Sequence, residues 1–413
     1  MTDLKKSFLN SEQLKILRDQ DWPEHSKVIG YSAGIEGTTW FLELIDAGDF
    51  NRVKKSLKTL VKTSETPNPF FEAAFLEPAI TNLGMDQIGL LCLSEITGDH
   101  RELKFFAPAA IEHTGWRRTK VLRIWSHPFA PISTPLMCKK EFAHTLHELM
   151  NCIEAASDQY GQAIMFEQLP KHSKFSKNLF EQPRFSDRLL RFAASNRAGV
   201  DGLNAMQCAV TQITGKRKQR LRRAQERLQS FGKLTFENVS RHRMILQSLE
   251  EHLSLEDTGW KSRKGTSILK NNATAIMVRS LVSNLSTDGK CEIHALRLND
   301  TMIASMILIH TQGHYFPWKI AYDESYAKYS AGNVLLAHVN EILSKKSDFK
   351  LLDSLASDLN DTAKRFWPDQ MEVSSMVIGL GPDATRNALK VSSDLELVTK
   401  LKKSLKKKLG RSL

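Results

Sequence analysis

The stretch Tyr315-Phe-Pro-Trp-Lys-Ile-Ala-Tyr-Asp323, with the residues that follow it to Leu343, constrains this chain more than any other. An apolar and aromatic run of this kind reads as a buried strand. It breaks at Asp323 into a polar loop, and Ser330-Ala331-Gly332-Asn333 then offers a helix start. Ser330 or Asn333 can cap free backbone N–H groups there, while Gly332 removes the side chain that would hold a ligand away. Val334, Leu335, Val339, Ile342 and Leu343 mark the apolar face of the helix beyond. Strand, glycine-bearing loop and helix N-terminus form a unit able to hold an anionic group such as a pyrophosphate. The competing account of residues 330–333 is an ordinary capped helix.

A chain of 413 residues, 41% of them hydrophobic, is long enough for two cores. The opening Met1-Thr-Asp-Leu-Lys-Lys lacks the apolar core of a signal peptide, and no apolar run approaches the roughly 20 residues that span a bilayer. Cys92, Cys138, Cys152, Cys208 and Cys291 are scattered, odd in number and without CxxC spacing. That pattern fits a reducing compartment and argues against a structural zinc site. The expectation is a soluble cytoplasmic protein.

The net charge of +12 is concentrated in two segments. Lys216, Arg217, Lys218, Arg220, Arg222, Arg223 and Arg227 stand against Glu226 alone. In the tail, Lys400, Lys402, Lys403, Lys406, Lys407, Lys408 and Arg411 stand against Asp394 and Glu396. The first segment predicts a basic helix anchored by Leu221 and Leu228, either a solvated linker or an attractor for an anionic acceptor, a coenzyme phosphate or RNA. The second places Leu395, Val398, Leu401, Leu405 and Leu409 on one stripe. That tail is either a frayed terminal helix or a surface for peripheral contact with the inner face of an anionic membrane.

Along the chain, Asn68-Pro69-Phe70-Phe71 predicts a helix start with Pro69 near the first turn. Residues 88–96 and 103–107 predict a hairpin over Thr97-Gly98-Asp99, residues 121–125 and 132–137 flank a Pro-rich bend, 139–156 is an amphipathic helix, and 163–169 a buried strand. A similar order recurs later: helices over 241–255 and 270–286, strands over 291–298, 302–310 and 314–321, a helix over 332–344 and a strand over 349–352. A helix over 361–367 and a strand over 371–380 close that half.

Taken together, Trp260-Lys261, Gly265-Thr266, the strand pair, Lys319-Ile-Ala-Tyr322-Asp323 and Ser330-Ala331-Gly332 resemble the bacterial GNAT-like acyltransferases of exopolysaccharide biosynthesis, the CelD/BcsL type. The resemblance is tightest over residues 200–370; in the N-terminal half Asn68-Pro69-Phe70-Phe71 is its one sharp match. It implies an α/β fold of two GNAT-like halves, with mixed sheets flanked by helices. The expected division is 1–190, 191–390 and a basic tail over 391–413. It further implies transfer of an acyl group, most simply acetyl, from acyl-CoA to an amine or hydroxyl of a sugar or sugar-like acceptor. Ser330, Ala331, Gly332 and Asn333 would hold the coenzyme, with no metal.

Such a reaction needs amides for the pyrophosphate, strand N–H groups for the thioester oxygen, and a route for the amine proton. Lys319 and Asp323, four apart, share a face of an extended segment. Asp323 could act as base or hold the acceptor, and Lys319 could neutralise the thioester oxygen or fix Asp323; a structural ion pair is the alternative. Trp260 could stack a sugar with Lys261 meeting an acidic group, or Trp260 could plug a core. Tyr315, Tyr322, Tyr326 and Tyr329 are candidate acids for the leaving thiolate, and the resemblance singles out Tyr322. His310 and His314 flank a turn without a third ligand, so an ordinary polar pair is expected rather than a metal site. Two further functions stay open: a Fem-type transferase using aminoacyl-tRNA, and a non-catalytic scaffold in polysaccharide assembly.

Overall fold

The computed structural model describes residues 22–409, except 24, 25, 35, 36, 85, 86 and 214. The opening residues read for targeting lie outside it. So do residues 410–413 and the side chains of 399, 400 and 402–409, which carry most of the basic tail.

The chain forms two compact units. One contains the chain up to Ala73, Met85–Ala194 and Glu372–Leu413; the other contains Ala74–Gly84 and Ser195–Met371. Each is a mixed sheet flanked by helices. In chain order the elements are β1 (Lys27–Ala33), β2 (Thr38–Asp46), α1 (Phe50–Thr63), α2 (Ala73–Asn82), β3 (Gly89–Thr97), β4 (His100–Thr114), β5 (Thr119–Ile124), β6 (Leu136–Met137), α3 (Phe142–Ala155) and β7 (Ala163–Pro170). Then come β8 (Leu189–Asp201), α4 (Leu203–Thr211), α5 (Gly215–Gln229), β9 (Leu234–Val239), α6 (His242–Thr258), α7 (Asn272–Thr287), β10 (Cys291–Leu298), β11 (Thr301–Thr311) and β12 (His314–Tyr322). The chain ends with α8 (Ala331–Leu343), β13 (Leu351–Asp353), α9 (Asp361–Phe366), β14 (Asp369–Gly379) and α10 (Ala384–Leu409).

In the first unit the strands run β1-β2-β3-β4-β5-β7-β14, and β5 and β7 are parallel across the α3 crossover. In the second the order is β8-β13-β12-β11-β10-β9, with β12 and β13 parallel across α8. Three consecutive antiparallel strands, a helix and a parallel strand therefore occur in each unit. Parallel neighbours need such a crossover, which places a helix on the sheet face.

One local expectation changes in detail. Asn68-Pro69-Phe70-Phe71 does not open an α-helix. Asn68 caps a 3-10 turn over Pro69–Phe71 by accepting from the Phe70 N–H, and α2 begins at Ala73. Its side-chain amide donates to the carbonyls of Ile132 and Thr134, so this buried asparagine fastens the Pro-rich bend. The basic segment is helix α5, with Leu228 fully buried and Leu221 packed beside the same core. In α10, Asp394 is tied to Arg117 at 2.8 Å, while Leu389, Leu397 and Leu401 are exposed. No helix among the described residues is long and apolar enough to cross a membrane.

Candidate functional site

The second unit's sheet opens along β12. Its aromatic run packs densely: Tyr315, Phe316 and Trp318 are all buried. The register against β11 pairs Ile307 with Lys319 and Leu308 with Pro317, leaving Trp318 as an extra residue. Such a bulge bends a strand and suits a proline, which has no N–H for the ladder. On the other side, β12 pairs with β13 only at His314 and Tyr315. From Phe316 onward the two strands part.

Backbone phase tells which groups face the gap. The Asp323 N–H donates to the Ile303 carbonyl at 2.8 Å. In an antiparallel ladder the bonded positions alternate, so the N–H and C=O groups of Tyr322 and Ile320 point away from β11, toward the open edge. The Ile320 carbonyl accepts there from Lys261 Nζ at 3.3 Å.

After β12 the chain makes a 3-10 turn over Glu324–Tyr329. Asp323 caps it, accepting from the Ser325 N–H at 2.9 Å and the Ser325 hydroxyl at 2.7 Å. Its carboxylate is thus turned into its own loop. Ser330 then adopts φ 57° and ψ 39° and enters α8 without a side-chain cap bond. The first helical bond runs from the Val334 N–H to the Ser330 carbonyl, so the N–H groups of Ala331, Gly332 and Asn333 have no acceptor within the helix. Gly332 has ordinary helical geometry. A Cβ built on it would meet only the Tyr322 ring, at 3.7 Å. Nothing in the fold requires a glycine there; its effect is to leave the helix start open on the side of Tyr322.

Across the open edge lies a small cleft lined by Leu255, Glu256, Gly259, Trp260, Lys261, Ile320, Ala321 and Tyr322. Helix α6 supplies its acidic wall. Glu256 is buried, with one oxygen 2.5 Å from Lys261 Nζ and the other accepting from the Ile268 N–H at 2.9 Å. Burial pushes the Glu256 carboxyl up, but the bonds from Lys261 and Ile268 outweigh it and hold the group below its ordinary value. One turn earlier, fully buried His252 lies 3.0 Å from the Ser305 hydroxyl. Burial, with Lys261 and Lys319 nearby, outweighs the attraction of Glu256 and lowers it to about 4. Lys319, paired across from Ile307, is pulled down to about 8, chiefly by desolvation and then by the Lys261 charge, with Glu256 opposing.

The turn carrying Trp260 and Lys261 is braced from both ends. Glu324 accepts from the Trp260 N–H at 2.6 Å and from Arg263 at 2.7 Å. Gly265, at φ 67°, lets the chain fold back so that the Thr266 N–H donates to the Lys261 carbonyl at 2.8 Å. Trp260 is 44% exposed with Lys264 Nζ 5.4 Å from its ring centre, so it does not plug the core.

The structure thus brings Trp260, Lys261 and Tyr322 into one cleft, with Lys319 coupled to it through charge and residues 330–333 adjoining through Tyr322. Asp323 sits at the strand end but is engaged by Ser325. Ser330 shapes the helix start through its backbone rather than by capping. Tyr315 lies at the opposite end of β12, where its hydroxyl donates to Asp348 at 3.3 Å, and Tyr326 and Tyr329 pack on Phe231. His310 stacks on Tyr315 at that far end, 3.8 Å from Glu292. Among the described residues no cluster of three or more His, Cys, Asp or Glu side chains is arranged to hold a metal. Sequence reasoning missed His252, Glu256 and Glu324. The available signal was the spacing of His252 and Glu256, which puts both on one helix face.

Residues 215–360 match the family model described as an acetyltransferase (GNAT) domain. This region has the GNAT acyltransferase fold. No curated protein sequence matches the chain. Among solved structures, the C-terminal DUF2156 domain of a putative lysylphosphatidylglycerol synthetase from Agrobacterium fabrum is similar in fold. It shows 15% identity over 82% of this chain and 95% of that one, with TM-score 0.50. L-PGS from Bacillus licheniformis follows at 14% identity, 82% and 95% coverage and TM-score 0.47. FemX shows 10% identity, 79% and 96% coverage and TM-score 0.48.

Proposed function

We propose that this protein transfers an acyl group, in the simplest case acetyl, from acyl-CoA to an amine or hydroxyl of a sugar or sugar-like acceptor. One observation carries the reading: beyond its last pairing with β13 the edge of β12 at Ile320 and Tyr322 leads, through a 3-10 turn, to an uncapped helix start that Gly332 leaves open. The amides of Ala331, Gly332 and Asn333 are suited to the donor's pyrophosphate. The outward N–H groups of Ile320 and Tyr322 are suited to the thioester oxygen and the charge that develops on it. Lys319, its amine drawn down to about 8 by burial, takes the acceptor's proton, and the Tyr322 phenol supplies one to the departing thiolate. With its carboxylate engaged by Ser325, Asp323 orders the loop between strand and helix. The exposed Trp260 ring gives a stacking face for a sugar, and Lys261 an adjoining cation. The sugar class and a place in polysaccharide synthesis extend from the sequence resemblance.

Coenzyme A should raise the melting temperature, and Gly332→Glu should abolish that rise by setting a carboxylate against the phosphates. An unshifted wild-type protein would overturn the donor assignment. A second donor, aminoacyl-tRNA, is favoured by one feature: α5 exposes Lys216, Lys218, Arg220, Arg222, Arg223 and Arg227. RNA binding that weakens steeply with salt, together with no response to coenzyme A, would select it.

A further inference from the structure

Lys261 brings an amine to the open edge of β12. Its Nζ donates to the Ile320 carbonyl on the open edge of β12 and lies 2.5 Å from Glu256 Oε1. The turn that delivers it is fixed by Glu324 on one side and Thr266 on the other, so this is a positioned amine rather than a wandering surface lysine. Lys264, three residues on, is exposed and extends over the Trp260 ring. Lys270 is exposed as well, 3.9 Å from Asp257.

We infer that Lys261 is itself an acyl acceptor, modified in cis by a thioester donor bound along β12 when no second substrate fills the cleft. The inference rests on the donor reading above. The step balances without a co-reactant. The Lys261 ammonium gives one proton to solvent while Glu256 holds the amine in place, and the freed lone pair attacks the thioester carbonyl carbon. The carbon–nitrogen bond forms as the carbon–sulfur bond breaks. The coenzyme leaves as a thiolate and takes the second proton from the acylated nitrogen, so one proton is released to solvent overall. The products are N-ε-acyl-Lys261 and free thiol. Acylation removes the cation, so Glu256 loses its counter-charge, and the acyl group occupies the cleft: a self-imposed block on turnover.

The test is to incubate the full-length protein with isotopically labelled acetyl-CoA and no acceptor, then quantify label by peptide mass spectrometry. Isothermal calorimetry with coenzyme A runs alongside. Label on Lys261 should exceed that on Lys264 and Lys270 by about tenfold or more, as expected for an amine held in place. It should rise as pH is raised, and Glu256→Gln should erase the preference. Equal labelling of the three lysines, or none on Lys261, in protein that binds coenzyme A overturns the inference and leaves the proposed activity standing. Failure to bind coenzyme A at all removes both.

Discussion

The ring of Tyr322 stands 3.7 Å from the point where a side chain on Gly332 would begin. That approach joins the open strand edge to the helix start, because Tyr322 also lines the cleft shared by Trp260 and Lys261. A donor lying along β12 and reaching α8 has to pass this tyrosine.

The two sides of that contact separate fold from ligand. Gly332→Ala introduces only an ordinary contact, so it should keep or raise stability, by up to about 1 kcal/mol. Gly332→Glu should fold as well yet lose the coenzyme-induced thermal shift. Melting curves with and without coenzyme A check both.

Lys319 makes a pH prediction. Its folded value, about 8, lies below its ordinary unfolded one, so between the two the unfolded chain binds more protons. The destabilisation is fully present below the folded value and is relieved as pH climbs toward the unfolded one. Lys319→Met should therefore flatten the rise in stability on this alkaline limb, read by denaturant titration. Transfer rate should climb with a midpoint near the same value in the wild type. Lys319→Met should lower it by roughly a hundredfold or more if this amine is the proton acceptor.

Glu256 acts at the acid end with the opposite sign. Its folded carboxyl is depressed, so its contribution is present above the unfolded carboxyl value and lost as pH falls through the folded one. Glu256→Gln leaves the Lys261 ammonium without its partner and should cost about 2 kcal/mol at neutral pH, with a shallower acid limb. Chemical denaturation across the acid range measures both.

Trp260 is exposed, so Trp260→Ala should change stability by less than about 0.5 kcal/mol. Its predicted effect is a raised acceptor KM with the coenzyme shift intact. Loss of the coenzyme shift instead would move the ring to the donor side.

Much of the second unit was legible because its strands carry apolar or aromatic runs and α8 a clean apolar face. β8 was not. Arg191, Asn196 and Arg197 make Leu189–Asp201 read as a polar join, and only their partners Glu372, Gln370 and Asp353 allow a strand there. Strand spacing put Asp323 on the face of Lys319, but an aspartate two residues before a serine N–H can close a local turn, and that bond took its carboxylate. Ser330 carried the composition of a cap; its left-handed backbone bends the chain into α8 instead. Glu256 offered only its spacing from His252 as a signal, because a single acid in an amphipathic helix looks the same whether it meets solvent or a buried lysine.

Because β12 and β13 separate after two paired residues, the second unit carries an unfinished sheet. The Ile320 and Tyr322 N–H groups and the Tyr322 carbonyl are a template for whatever extended, hydrogen-bonding chain arrives, while the Ile320 carbonyl is taken by Lys261. Short strand-forming peptides should therefore compete with the donor without resembling it, and the same seam is where edge-to-edge adhesion between folded copies would begin if left vacant at high concentration.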